Sequence, residues 1–196
     1  SPIGAVTDRA SKATGLPPQT MVVAGGGDGQ AAGLGVNALA SGSAYLNLGT
    51  AVVAGIYGAR YKTGKAFRTM SSCSDSGYYY ECSLRAGTFA VDWFIGKILE
   101  IDPARQPDIY ERLEEEARRV PAGSDGVLHL PYLCGSMNPY WDMNARGAFV
   151  GLSASHHRGH VYRSILEGIA FEQLFAIRSV ERAIDRKVRH LIAIGG

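Results

Sequence analysis

Residues 21–53, MVVAGGGDGQAAGLGVNALASGSAYLNLGTAVV, contain a single aspartate among glycines and a second glycine turn further along. The apolar run of residues 21–24 stops at three consecutive glycines, a pattern typical of a buried strand that ends in a loop. Asp28 follows, and the small residues after it predict the first turn of a helix. Carboxylates at such strand-to-helix junctions lie where α/β sheets commonly bind ligands. We therefore expect an α/β fold with Asp28 in its functional site.

The second glycine turn separates two predicted strands. Residues 45–48 predict one strand, Gly49 and Thr50 break it, and residues 51–56 predict the next, so the pair would form a tight hairpin. The tip of this hairpin would offer backbone N–H groups and a hydroxyl. These groups suit a phosphate.

A third glycine segment, residues 86–88, joins a strand predicted over residues 78–84 to a helical pattern. Thr88 could cap the start of this helix, as threonine commonly does whatever binds nearby. The same junction could also aim backbone N–H groups at an anion.

The glycines around Asp28 are also consistent with two different roles. Glycine and aspartate are both favoured in ordinary turns. Gly27, Gly29 and Ala32 also fit the spacing of the dinucleotide-binding fingerprint, but that motif needs an acidic residue about 20 positions further on, and residues 47–53 contain none. A dinucleotide-dependent oxidoreductase is therefore the weaker alternative.

Composition excludes several classes of protein. The chain has 196 residues, 46% of them hydrophobic, and its 20 Lys and Arg nearly balance its 18 Asp and Glu, so we expect a globular protein without the basic surface that binds nucleic acid. No apolar run approaches the roughly 18 residues that span a bilayer, which predicts no membrane partner and a cytoplasmic location. The three cysteines, Cys73, Cys82 and Cys134, have no CxxC spacing and are predicted to be free thiols.

The remaining elements follow from periodicity. Residues 1–20 are interpreted as a polar connection, and His156, His157 and His160 as solvated or capping groups rather than metal ligands. The further predictions are helices over residues 107–120 and 156–184, strands over 127–130 and 188–194, and a long aromatic loop over 131–147.

Residues 147–167, GAFVGLSASHHRGHVYRSILE, resemble the C-terminal signature of the FGGY carbohydrate kinases, the family of xylulose, ribulose, gluconate and glycerol kinases. The strongest likeness is to the xylulose kinases. Residues 24–33 resemble the loop that carries the family's catalytic aspartate, residues 48–53 its phosphate-binding hairpin, and residues 130–147 the loop before the signature. The matching signature positions are Gly147, Phe149, Gly151, Leu152, His160, Val161, Ser164, Ile165, Leu166 and Glu167.

The resemblance implies a ribonuclease H-like, actin-like ATPase domain with a mixed sheet and flanking helices. It implies a kinase that moves the γ-phosphate of ATP to a ketose or polyol, with D-xylulose favoured and Mg²⁺ as cofactor. The partners would be the sugar and ATP, and a homodimer is allowed. The implied roles are Asp28 as general base, Gly29 and Gln30 beside the sugar, Gly49 and Thr50 on the transferring phosphate, Gly87 and Thr88 in the nucleotide channel, and Gly195 and Gly196 opening the adenine loop.

The likeness also implies a division of the chain. Residues 1–20 would enter from a missing N-terminal domain, and residues 21–196 would be the C-terminal ATPase-like domain, truncated at the adenine-binding loop. Such a fragment would be inactive alone. Ser136 and Met137 stand where xylulose kinases usually have glutamate and arginine, which leaves the sugar open. An actin- or chaperone-like ATP-binding module without sugar kinase activity is the main alternative, and a non-catalytic interaction domain is another.

Overall fold

The computed structural model describes residues 2–74 and 76–195. Its helices and strands follow the chain in the order β1 (Pro2–Ala5), α1 (Asp8–Thr14), β2 (Met21–Val23), α2 (Asp28–Gly35), β3 (Ser43–Leu48), β4 (Val52–Gly58), β5 (Arg68–Ser71), β6 (Tyr78–Leu84), α3 (Thr88–Trp93) with a π-helical extension (Phe94–Ile98), α4 (Ile109–Arg118), a 3₁₀ turn (Ser124–Gly126), β7 (Leu128–Leu130), β8 (Ala148–Val150), α5 (Arg158–Ile184) and β9 (His190–Ile194).

A five-stranded mixed sheet in the order β5-β6-β4-β3-β9 forms the centre of the molecule. Strands β3 and β4 are antiparallel and form the predicted hairpin. Strand β9 runs parallel to β3, with Ser43 opposite His190 and Asn47 opposite Ile194. The carboxyl ends of β3 and β9 therefore meet at one edge, which we call the hairpin edge because residues 49–51 turn there.

The two faces of this sheet are covered by different helices. Because successive strand residues point to opposite faces, Ala44 and Ile56 pack with Ala176 and Val180 of α5. On the other face, Tyr45 and Tyr79 form a small cluster beside α2, with their rings edge to face at 5.3 Å between centroids. The sheet is therefore a two-sided layer, with its largest apolar cluster under α5.

Helices α3, α4 and α5 form a second apolar cluster beyond the sheet. Ile95, Ile109, Leu113 and Ile165 are fully buried there. Helix α5 begins at Arg158 rather than at residue 156, because the ring of His157 caps it by accepting the Gly159 N–H at 3.1 Å. The cysteines are free, as predicted. Among the described residues, every helix is too short or too polar to cross a membrane.

The prediction of a buried strand at residues 21–24 is wrong. Met21 is 63% exposed and Val23 is 59% exposed. The reason is that β2 does not join the central sheet but pairs only with β1, in a separate antiparallel ribbon of two strands. An apolar run this short indicates a strand, but its burial depends on which element covers it.

The first twenty residues contain regular structure that the sequence did not predict. They form β1 and then α1, which Thr7 caps by accepting the Ala10 N–H at 3.3 Å. Helix α1 ends at Gly15, whose φ of 77° is the left-handed conformation that glycine adopts readily. None of the residues of α1 is buried, so this segment adds little to the core.

Candidate active site

Helix α2 lies on the sheet with its N-terminus directed at the hairpin edge. Near its start, a Cβ on Gly29 would lie 2.8 Å from the Glu81 carboxylate, and one turn later a Cβ on Gly33 would lie 2.5 Å from the Tyr79 ring. Strand β6 reaches the hairpin edge at Leu84, so Glu81 is nearer that edge than Tyr79. The axis of α2 therefore brings its first turn, not its last, toward the hairpin.

Asp28 is the first residue of α2 and its side chain is exposed. The preceding residue, Gly27, has no side chain with which to cap the helix. The Gly29 N–H donates to Asp28 Oδ1 at 2.8 Å, and Oδ2 accepts no hydrogen bond from the described part of the chain. Asp28 therefore offers an accessible carboxylate oxygen at the strand-to-helix junction that the sequence predicted.

A cavity of about 550 Å³ opens beside this junction. One wall consists of the glycines of residues 25–27 together with Gln30, and the other consists of the end of β5 and the residues after it. Ser71, Ser72 and Ser74 line the second wall. Hydroxyl groups and exposed backbone suit a polar, uncharged ligand, since both donate and accept hydrogen bonds.

The hairpin tip has unused backbone donors. Gly49 donates its N–H to the Ala51 carbonyl at 3.2 Å. The N–H groups of Thr50 and Ala51 donate to no backbone carbonyl within the described residues, and Thr50 is exposed. The tip can therefore offer two amides and a hydroxyl to an anion, but they come from Thr50 and Ala51 rather than from the predicted pair Gly49 and Thr50, because the Gly49 N–H is used within the hairpin.

The junction at Gly87 and Thr88 behaves differently from its prediction. Gly87 N–H donates to the Thr50 carbonyl at 2.9 Å, and Thr88 N–H donates to the Gly49 carbonyl at 3.0 Å. Phe89 N–H also reaches the Thr50 carbonyl, at 3.4 Å. The expectation that these amides point at an anion is wrong, because the hairpin itself takes them up.

The cap of α3 also differs from its prediction. The N-cap residue is Gly87, and Thr88 is the first residue of the helix rather than its cap. A Cβ at Gly87 would lie 2.6 Å from the Gly49 carbonyl oxygen, so glycine permits the close approach of helix and hairpin. Thr88 remains exposed next to the tip, and its place in a nucleotide channel stays a prediction.

Gly195 reaches the same edge of the sheet. It follows β9 with a φ of 118°, and a Cβ there would clash with the Leu48 carbonyl oxygen. Gly49, Thr50, Gly87, Thr88 and Gly195 therefore form one cluster. Gly196, the other residue predicted for the adenine loop, lies outside the described residues.

Gln30 lies beside the cavity, but its side chain forms a buried hydrogen bond instead of being free for a sugar. Its side chain is only 5% exposed, and its amide nitrogen donates to Glu81 Oε1 at 3.1 Å. Tyr45 donates its hydroxyl to the same oxygen, and Arg68 Nη2 lies 3.5 Å from Oε2. Burial, followed by the Glu81 hydrogen bond, raises the pKa of Tyr45 well above its usual value.

The sequence analysis missed Glu81 and Tyr45. One signal was available, since Glu81 is the single charged residue in the strand YYYECSL. Charged groups are rarely buried without partners, so a carboxylate at that point in a strand predicts a buried polar cluster.

The signature over residues 147–167 supports the fold and does not line the hairpin. Glu167 accepts the Gly123 N–H at 3.0 Å and the Ser124 hydroxyl at 2.8 Å. Burial alone would raise the pKa of Glu167, but these bonds and that from Arg163 outweigh it and lower the pKa. The signature therefore ties α5 to the 3₁₀ turn before β7.

The aromatic loop over residues 131–147 is anchored by its side chains. Asn138 Oδ1 accepts the Ser83 N–H at 3.1 Å, and Trp141 Nε1 donates to the Lys65 carbonyl at 2.6 Å. Tyr140 stacks on Phe175 with 5.8 Å between ring centroids. These contacts favour the anchoring interpretation of the aromatic residues.

Residues 44–196 match the FGGY family of carbohydrate kinases, C-terminal domain. The chain is 30% identical to a xylulose kinase of Bacillus subtilis over 197 residues, covering 99% of the chain and 38% of that protein. It is also 30% identical to a gluconokinase of Bacillus subtilis, covering 93% of the chain and 36% of that protein.

The fold matches solved structures of the same family. The crystal structure of ligand-bound xylulose kinase from Lactobacillus acidophilus superposes with a TM-score of 0.82 at 26% identity, covering all of the chain and 39% of that protein. This confirms the predicted α/β, actin-like fold with a mixed sheet and flanking helices. The chain spans less than two fifths of the length of these relatives. Family match and superposition together show that the chain belongs to the FGGY family of carbohydrate kinases, as part of its C-terminal domain.

Proposed function

We propose that the complete protein transfers the γ-phosphate of ATP to a hydroxyl of a ketose or polyol, with D-xylulose favoured and Asp28 as the general base. The direction of α2 carries this proposal. The first turn of that helix, with its exposed aspartate, faces the hairpin edge, where Thr50 and Ala51 have free amides. This direction supports a general base and phosphate donors that would act at the same end of the sheet.

The chemistry needs few protein groups. Phosphoryl transfer has a loose transition state, so positioning and electrostatic stabilisation account for most of the catalysis. Asp28 would accept the proton of the sugar hydroxyl. The hydroxyl oxygen would attack the γ-phosphorus at the same time, and ADP would leave. The hairpin amides would donate to the phosphate oxygens, where preorganised donors stabilise developing charge.

The sugar would approach from the cavity beside Asp28. The glycines of residues 25–27 let a ligand lie against the backbone, and the serine hydroxyls opposite match the polarity of a sugar. Gly29 lies at the first turn, whereas the amide nitrogen of Gln30 is committed to Glu81. Gln30 would therefore contact a sugar through its remaining acceptor oxygen or act indirectly. The preference for D-xylulose rests on the likeness to xylulose kinases.

The nucleotide would lie along the opposite side of the hairpin. Thr88 and Gly195 flank Gly49 and Thr50 there, and they would line the channel for ATP. Mg²⁺ would neutralise charge on the phosphates. Its usual ligands in such sites are phosphate oxygens of the nucleotide, several waters and one or two carboxylates.

The domain arrangement is part of the proposal. Residues 1–20 would connect to an N-terminal domain, and residues 21–196 would belong to the C-terminal ATPase-like domain. Kinases of this kind commonly close around the substrate and exclude water from the reacting phosphate. We expect the 196-residue chain alone to show no turnover, and measurable sugar-dependent ADP release by that chain would contradict this.

The deciding experiment measures ADP release by the full-length protein with ketopentoses, ketohexoses, polyols and aldonates. Asp28→Asn should lower the sugar-dependent kcat by at least about 10²-fold, the usual contribution of a general base. Asp8→Asn is the matched control, because Asp8 is likewise an exposed aspartate at the first position of a helix. It should leave kcat unchanged.

The outcomes separate the rival functions. Sugar-dependent release that Asp28→Asn abolishes supports a kinase and names its sugar. Release that no sugar accelerates favours the actin- or chaperone-like ATP-binding module. A sugar-dependent rate that survives in Asp28→Asn would keep the kinase but remove Asp28 as its base.

A further inference from the structure

Glu81 is a buried carboxylate beneath the first turn of α2, the turn that begins with Asp28. It lies in the middle of β6 and is 3% exposed. A carboxylate in such a place costs free energy unless it is paired and hydrogen-bonded. An apolar side chain of similar size would fill the space without that cost, so packing alone does not account for a glutamate at this position.

The partners of Glu81 divide between its two oxygens. Oε1 accepts from the Tyr45 hydroxyl and from the Gln30 amide, whereas Oε2 faces Arg68, whose side chain is 45% exposed. Tyr45 is fully buried. The oxygen nearest α2 is therefore held by two buried neutral donors, and the solvent-side oxygen is paired with a cation.

Gln30 connects this cluster to Asp28. It lies two positions after Asp28, in the first turn of α2. A Cβ on the intervening Gly29 would lie 2.8 Å from both Glu81 Oε1 and the Tyr45 hydroxyl. The turn that carries Asp28 thus rests directly on the Glu81–Tyr45 pair.

Helix α2 has few other anchors. Of its eight residues, all of which the structure describes, Gln30 and Gly33 are buried, and Gln30 is the only one of these two with a side chain beyond the backbone. Its sequence, DGQAAGLG, presents small residues that pack weakly. The directional hydrogen bond from Gln30 to Glu81 is therefore the specific contact that fixes the rotation and height of the first turn.

We infer that Glu81, with Tyr45 and Gln30, is a positioning group that holds the first turn of α2 so that Asp28 meets the acceptor hydroxyl. This inference rests on the proposed function. Misplacing a reacting group by about 1 Å can cost about 10²-fold in rate, so loss of this support should affect kcat strongly.

The test uses the full-length protein with the responding sugar. Glu81→Leu should lower kcat by about 10- to 10²-fold and leave the KM for ATP within about twofold, because it displaces Asp28 and not the hairpin. Glu81→Gln keeps an oxygen that accepts from Tyr45 and Gln30, so it should retain most of kcat. Tyr45→Phe is a milder variant that should fold if Glu81→Leu does not.

A double-mutant cycle separates positioning from general stability. In the Asp28→Asn background, Glu81→Leu should cause less than about a twofold further fall, because there is no longer a base to position. Glu172→Leu is the matched control, since Glu172 accepts a hydroxyl hydrogen bond from Tyr132 at 2.9 Å on the α5 side. It should leave kcat within about twofold.

Three results would overturn the inference. They are a full effect of Glu81→Leu in the Asp28→Asn background, an equal fall in kcat for Glu172→Leu, and a loss of kcat in Glu81→Gln as large as that in Glu81→Leu. Each would mean that Glu81 only stabilises the fold.

Amide hydrogen exchange tests the same inference without activity. Glu81→Leu should speed exchange at residues 31–35 of α2 while β3 and β4 keep their protection. Unchanged protection of α2 would overturn the inference. If the unmodified protein released no ADP with any sugar, the proposed function would fail, and exchange would still decide whether Glu81 holds α2.

Discussion

The first turns of α2 and α3 both follow a glycine at the N-cap, yet they are held in opposite ways. At α3, the backbone amides of residues 87–89 donate to the hairpin carbonyls. At α2, the first turn carries an exposed aspartate and rests on a buried carboxylate through the Gln30 side chain. A glycine before a helix therefore does not identify an anion site, because the element opposite the amides decides their use.

Helices α3 and α2 therefore depend on different contacts for their positions. Backbone hydrogen bonds between α3 and the hairpin are each worth about 0.5–1.5 kcal/mol, so α3 and the hairpin tip form one rigid unit. Helix α2 depends on side chains, chiefly Gln30, for its position. Under the proposed function, backbone contacts would fix the phosphate site, whereas side-chain contacts would set the position of Asp28.

The largest expected effect on stability comes from breaking the contact between α3 and the hairpin. A Cβ in Gly87→Ala would meet the Gly49 carbonyl oxygen at 2.6 Å and the Val52 nitrogen at 3.0 Å, both of them backbone atoms that cannot rotate away. Overpacking of this kind lowers the free energy of unfolding by about 1–3 kcal/mol. Urea denaturation of the full-length protein measures it, and the KM for ATP should rise as the tip shifts.

Gly27→Ala is the corresponding change at α2. A Cβ there would meet the Gln30 side-chain oxygen, which is the end of a side chain rather than backbone, so the amide group could shift at the cost of its hydrogen bond to Glu81. We expect a smaller loss of stability than for Gly87→Ala and a fall in kcat. Equal losses of stability would show that the two helix starts are held alike.

A third helix start, that of α5, is held by an ion pair between side chains. Glu116 accepts hydrogen bonds from Arg158, the first residue of α5, with Arg158 Nε 2.8 Å from Glu116 Oε2. The Arg158 bond, opposed by burial, lowers the pKa of Glu116 below its ordinary value. A lowered carboxyl pKa stabilises the fold above the unfolded-state pKa, and that contribution is lost as the pH falls through the folded-state pKa.

Glu116→Gln should therefore lower the free energy of unfolding at pH 7 by less than about 1 kcal/mol, given the partial exposure of the pair. The difference from wild type should shrink as the pH falls below about 4.3, where the unfolded carboxyl protonates. Glu115→Gln is the control, because its pair with Arg119 is more exposed. If Glu116→Gln still lowered the free energy of unfolding at low pH, the stabilisation would not come from the charge of Glu116.

Much of the fold follows from local sequence pattern. The strand predicted over residues 78–84 agrees with β6, where Tyr80 and Cys82 pack in the cluster under α5 and Tyr79 packs on the other face. Residues 21–24 were predicted to be a strand, which is correct, but they are exposed, since β2 joins a separate ribbon. Local pattern determines the type of an element, and tertiary pairing determines its burial.

The elements of the candidate site were predictable where a short motif defines them and not where distant residues cooperate. Asp28 and the hairpin can be recognised in the sequence as short motifs. The use of the Gly87 amide depends on a hairpin more than thirty positions away, and Tyr45 donates to Glu81 across 36 positions. A single sequence contains no sign of such pairings beyond an isolated charge in a strand.

The smallest expected effect concerns the far end of α2. At Gly35, a Cβ would find no other atom within 4 Å, so Gly35→Ala should stabilise the helix by about 0.5 kcal/mol through its better helix propensity. Gly33→Ala, only two positions earlier, is the control, because its Cβ would lie 2.5 Å from the Tyr79 ring and should destabilise the protein. Urea denaturation of both variants distinguishes them. If Gly35→Ala left the free energy of unfolding lower than in wild type, close contacts would extend beyond Gly33 to the end of α2, and α2 would not be held less firmly than α3.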